Sequence, residues 1–122
     1  MPRLTVTGTN LDAPDANGLA DFYRRLLGWT ASTDEPGWVL LQPPGGGHTL
    51  NFQTEEHYVR PVWPAGPGEA QMMMHLEIEV DDLQASVAHA VEAGATLADY
   101  QPQDDVRVCL DPAGHPFCLF LG

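Results

Sequence analysis

Two blocks of this chain match each other without a gap. Gly8 to Asp15 aligns on His75 to Asp82, and each block ends in an Asp placed to open a helix. The match continues downstream: Leu27-Gly28-Trp29-Thr30-Ala31 answers Ala93-Gly94-Ala95-Thr96-Leu97, and Gly47-His48-Thr49-Leu50-Asn51-Phe52 answers Gly114-His115-Pro116-Phe117-Cys118-Leu119. A chain repeated in this way must fold as two copies of one supersecondary unit. Written as elements, the order is β-α-β-β-β, a linker, and β-α-β-β-β again, an α+β class. Each half alone leaves a sheet face uncovered, so the modules are expected to pair, within the chain or across a dimer. The expected limits are one domain over 1–122, with a first module to about residue 59, a linker over about 60–69 and a second module from about 70.

The clearest strand signal lies in the second copy. From Met74 to Val80, Met74, Leu76, Ile78 and Val80 alternate with His75, Glu77 and Glu79, the period of two of a half-buried strand spanning about 72–80. By parity Met72 and Met74 belong to the core side, with Met73 opposite. Asp82 then caps a helix that runs to about Ala93 and stops at Gly94. In the first copy, residues 3–11 read as a strand with Gly8 inside it, a residue that marks a bulge or a close backbone approach. Asp15 caps a helix with Leu19, Phe22, Tyr23, Leu26 and Leu27 on one stripe, closed by Gly28. Further strands are expected at 29–34, 38–42, 48–54, 95–100, 106–110 and 116–121. The three prolines of Arg60 to Gly68 bar a helix or a central strand and mark the linker.

Charge narrows the partners. Seventeen acidic residues oppose five basic ones, a net charge of −12, and all five bases are Arg. Such a surface repels phosphate backbones and anionic headgroups, so neither nucleic acid nor membrane is an expected partner. No run approaches transmembrane length and the start has no apolar signal core, which makes the cytoplasm the expected location. Cys109 and Cys118 flank an Asp111-Pro112-Ala113-Gly114 turn with opposite parity, so they are expected as reduced thiols.

The segment Asp12-Ala13-Pro14-Asp15 followed by Leu19-Ala20-Asp21-Phe22-Tyr23-Arg24-Arg25-Leu26-Leu27-Gly28 resembles the first module of the vicinal oxygen chelate superfamily. That superfamily holds glyoxalase I, bleomycin-resistance proteins and extradiol dioxygenases. His75-Leu76-Glu77-Ile78-Glu79-Val80-Asp81-Asp82-Leu83 with Gly94-Ala95 resembles its second module, and Asp111 to Leu119 its closing strand. Arg60-Pro61-Val62-Trp63-Pro64 is similar to the bacterial glyoxalase-like branch. The resemblance implies two βαβββ modules forming a cupped mixed sheet around a cleft, often completed by a homodimer. It also implies four metal-ligand positions, which fall here on Gly8, Asn51, His75 and Cys118. Of these, only His75 is an ordinary ligand of the family kind. Gly8 has no side chain, Asn51 offers a neutral carbonyl, and Cys118 stands where the closing motif has Glu.

Three readings follow. In the first, the cleft binds a small apolar or aromatic molecule without the family metal, lined by Gly8, Asn10, Asn51, Gln53, His75, Glu77, Cys118 and Phe120, with Trp63 adding aromatic surface. In the second, a divalent metal (Zn or Ni), held mainly by His75 with Cys118, Asn51 or Glu77 standing in for the missing carboxylates, serves a glyoxalase-type lyase or isomerase, or a dioxygenase, with a degenerate site. In the third, His75 and Glu77 form a metal-free proton-transfer pair. Against that pairing, residues i and i+2 on a strand lie about 7 Å apart at Cα. Cys118 reads as a nucleophile only if His75 activates it, and otherwise as a small apolar filler.

Overall fold

Asp15 opens the first helix as the spacing predicts, its carboxylate accepting the Gly18 N–H at 3.1 Å. The helix, α1 (Ala16–Leu27), ends at Gly28 in the left-handed region at φ 72°, a conformation open to glycine. Leu19, Phe22 and Tyr23 on its apolar stripe are buried. They meet a sheet built from β1 (Gly8–Ala13), β2 (Thr30–Glu35), β3 (Trp38–Gln42) and β4 (Thr49–Thr54). The strand order is β1-β4-β3-β2, with β1 parallel to β4 and the other pairs antiparallel. Tyr23 anchors this core, packing edge-on to Phe22 at 4.8 Å and stacking on Phe52 of β4 at 5.5 Å.

The computed structural model describes all residues, 1–122, as two compact units, Met1–Tyr58 and Val59–Gly122. The second unit repeats the plan of the first: β5 (Leu76–Val80), α2 (Leu83–Ala93), β6 (Thr96–Leu97), β7 (Val106–Leu110) and β8 (Pro116–Leu121). Its sheet has the order β5-β8-β7-β6, again with the first and last strands parallel. Asp82 caps α2 through the Ala85 N–H at 3.0 Å. The fold is α+β, two four-stranded mixed sheets each with one helix, consistent with two βαβββ modules. The proline-rich segment falls in the second unit, where it folds back on itself through the Val62 N–H and the Ala70 carbonyl at 2.8 Å.

Three expected strands are shorter than their patterns. The first begins at Gly8, not near residue 3, because its parallel partner begins at Thr49 and the register pairs Gly8 with Thr49. Leu4 and Val6, left without a ladder, are exposed. The strand expected from residue 72 begins at Leu76, whose partner is Phe117. The residue before Phe117 is Pro116, which has no N–H to donate. The core assignment of Met72 and Met74 is therefore corrected: Met74 is 78% exposed beside Met73 at 83%, and Met72 is half-buried. The strand expected over 95–100 reduces to Thr96 and Leu97. Beyond it, the Gln101 side chain replaces the ladder. Its Nε2 donates to the carbonyls of Ala98 and Val108, both at 2.9 Å, and its Oε1 accepts the Val108 N–H at 3.0 Å.

Candidate functional site

The second unit gathers its chemistry on one face of β5 and β8. Glu77 and Cys118 are register partners across the parallel pair, and Glu79 faces Phe120 one step further along. His75 lies just ahead of the ladder, so its backbone is not held to the pleat. Its imidazole turns toward Glu77, with Nε2 2.9 Å from Oε1. The Cα separation of an i, i+2 pair is thus no obstacle here. The nitrogen and oxygen atoms of this pair and the Cys118 sulfur all lie within 4.8 Å of one another.

An aromatic group borders the pair. Trp63, carried in by the proline-rich segment, lies over the His75 ring with centroids 5.0 Å apart and planes tilted by 31°. Tyr100 meets Trp63 edge-on at 5.3 Å. Sequence reasoning singled out Trp63 but not Tyr100. Its signal was slight, a single aromatic between Asp99 and Gln101 at the edge of an acidic loop.

Cys118 is buried at 4% exposure. Burial pushes its thiol up to about 11, and the neighbouring Glu77 carboxylate adds to the rise. At neutral pH the sulfur stays protonated and is a poor nucleophile. Cys109, which pairs with Phe117 while Cys118 pairs with Val108, points to the opposite face of the sheet. Both thiols are free.

The expected residues of the first unit sit on β1 and β4, where Asn10 pairs with Asn51 and Asp12 with Gln53. Asn10 and Gln53 are exposed and Asn51 is half-buried. The Asn10 amide donates to Asp12 at 3.0 Å, and the Asn51 oxygen accepts from the Thr49 hydroxyl at 2.7 Å. Gly8 fits its close-approach reading, since a Cβ there would run into the Thr49 hydroxyl and crowd the Asn51 amide at 3.0 Å. These residues do not supply the first-module metal donors of metal-dependent relatives. Gly8 offers no atom, and the Asn51 carbonyl is neutral and already hydrogen-bonded.

A family model for the glyoxalase-like domain matches residues 8–120. The chain belongs to this family, and through it to the vicinal oxygen chelate superfamily, whose members often use divalent metals. It is 30% identical over 131 residues to DnrV of Streptomyces peucetius, an anthracycline biosynthesis protein; the match takes in 91% of this chain but only 44% of DnrV. Among solved structures, a glyoxalase/bleomycin resistance protein/dioxygenase family enzyme from Burkholderia phytofirmans PsJN matches at a TM-score of 0.71 and 20% identity, over 95% of this chain and 97% of that one. TnmS3, an antibiotic binding protein from Streptomyces sp. CB03234, matches at 0.63 and 22% identity, over 99% and 98%. At those identities the structural matches speak to the fold. No helix is long and apolar enough to cross a membrane.

Proposed function

We propose that this protein binds a small planar apolar or aromatic molecule on the sheet face of its second unit, beside Trp63 and His75, without the family's four-position metal. The observation that carries the reading is the tilted packing of Trp63 against His75, edged by Tyr100. Three rings meeting around a few polar atoms offer flat apolar surface with hydrogen-bonding anchors, the usual make-up of a small-molecule site. The exposed thioethers of Met73 and Met74, next to His75 in the chain, add soft surface that adapts to a ligand's outline. Phe120 and Cys118 extend the apolar floor, and Glu77 supplies an acceptor.

The names of two relatives lend support. DnrV is an anthracycline biosynthesis protein, and anthracyclines are planar polycyclic aromatics; TnmS3 is an antibiotic binding protein. The reading keeps the chain in the cytoplasm, as a homodimer in the manner the family resemblance implies, and its net charge of −12 argues against nucleic-acid partners. The test is thermal unfolding against a panel of planar aromatic compounds, an anthracycline among them, in the presence of a chelator. Stabilisation by a member of the panel supports the reading, and stabilisation that vanishes with the chelator counts against it.

The contact between His75 and Glu77 favours a second reading, metal-free proton transfer. A carboxylate bonded to imidazole fixes its tautomer, leaving the other ring nitrogen to exchange a proton with a bound molecule. That reading requires turnover that survives chelator and is lost in His75→Ala.

A further inference from the structure

From Val59 to Met74 no residue is buried, so apolar packing does little to fix the segment that carries Trp63. Its internal hydrogen bonds are local. The Val62 N–H donates to the Ala70 carbonyl at 2.8 Å, and the Gly66 N–H donates to the Glu69 carboxylate at 2.7 Å. Arg60 ties the front of the segment to the sheet. Its Nη1 donates to the Pro112 carbonyl at 3.2 Å, and its side chain lies against Gly114. A Cβ at Gly114 would run into Arg60, with Nε at 2.6 Å and Cζ at 2.8 Å, and the glycine itself holds a φ of 91°. Gly114 is thus a seat for the guanidinium that a side chain would close.

The seat is firm. The buried Asp111 carboxylate accepts the N–H groups of Ala113 at 3.0 Å and His115 at 2.9 Å, and the Gly114 N–H donates back to the Asp111 carbonyl at 2.9 Å. This turn leads straight into β8, whose Phe117 pairs with Leu76, so it stands at the end of the sheet from which His75 emerges. Three residues of chain reach at most about 10 Å, so fixing Arg60 confines Trp63 to that end. Pro61 and Pro64 take slack out of the tether, each with a locked φ and a restricted residue before it, Arg60 and Trp63 respectively. We infer that Arg60 is a positioning residue of the ligand site: seated on Gly114 and bonded to Pro112, it holds the Trp63 indole against His75. Lysine does not replace it, because a point-charge ammonium reaches the Pro112 carbonyl but offers no planar group to rest on the Gly114 backbone. The role in binding rests on the small-molecule reading, whereas the placement of Trp63 is measurable without a ligand.

The test has two arms, both on the full chain. In the ligand-free protein, NMR through-space cross-peaks between the Trp63 indole and the His75 ring are expected in the wild type. They are expected to be lost in Arg60→Ala and in Arg60→Lys, with the urea midpoint nearly unchanged because Arg60 is exposed. In the second arm, with chelator present, Arg60→Ala is expected to lower affinity for an anthracycline by about threefold or more. In a Trp63→Ala background it lowers affinity no further, since Arg60 acts through the indole. Cross-peaks that persist in Arg60→Ala, wild-type behaviour of Arg60→Lys, or losses that add in the double variant would each overturn the proposal. An anthracycline that fails to bind the wild type counts against the small-molecule reading instead, and the cross-peaks still decide whether Arg60 places Trp63.

Discussion

His75 Nε2 and Glu77 Oε1 lie 2.9 Å apart although their residues are only two positions apart along an extended segment. The contact exists because the ladder starts at Leu76, which frees the His75 backbone, and because Glu77 projects from an edge where its partner is the small Cys118. With Trp63 over the imidazole, the pair becomes an ordered polar centre with an aromatic wall, and the functional proposal rests on it.

Gln101 takes the place of a stretch of strand, so its loss is expected to cost more than that of an ordinary loop residue. Gln101→Ala leaves the Val108 N–H and the Ala98 carbonyl without their side-chain partner. A destabilisation of about 1–3 kcal/mol is expected in chemical denaturation. Gln101→Glu keeps the acceptor for Val108 and loses both donors, and it is expected to fall between wild type and Gln101→Ala.

The cap of α1 gives a smaller effect. Asp15→Ala deprives the Gly18 N–H of its acceptor and is expected to cost about 1 kcal/mol, read as a lower midpoint with an unchanged denaturant slope. Asp15→Asn, which keeps a capping oxygen, is expected to recover most of it.

Alkaline stability should report the buried thiol on the other face of the second sheet. Burial, with a smaller contribution from Cys118, pushes Cys109 from 9.0 up to about 11. The folded state therefore holds this proton more tightly than the unfolded chain does. The resulting stabilisation is complete below about pH 9 and is lost as pH rises from 9 through 11. Urea midpoints across that window are expected to fall, and to fall less steeply in Cys109→Ala. At neutral pH, alkylation of Cys109 is expected to be slow until the protein unfolds.

Much of the fold was legible in the residues. The helix caps Asp15 and Asp82, the stripe from Leu19 to Leu27, and the strands at 38–42, 106–110 and 116–121 stand where spacing put them, because local periodicity and turn chemistry decide such elements. The strand ends were not legible, since pairing decides them. Residues 3–6 and 72–75 meet no partner strand, and residues 99–100 lose theirs to a glutamine side chain. Met74 shows the consequence most plainly: its parity assigned it to the core, but parity has no meaning outside a ladder. Within the candidate site, His75 and Glu77 stood out as the polar face of an alternating strand, and Cys118 came from the repeat and the family resemblance. The ring of Tyr100 came from tertiary packing, which a single aromatic in an acidic loop does not announce.

The most direct test of the central claim is a calorimetric titration of an anthracycline into wild type and Trp63→Ala, with chelator present throughout. The account predicts saturable binding to the wild type and an affinity at least about tenfold lower for Trp63→Ala, the loss of one aromatic contact and its buried area. Equal affinities for the two proteins would contradict it and move the ligand away from the face that Trp63 and His75 define.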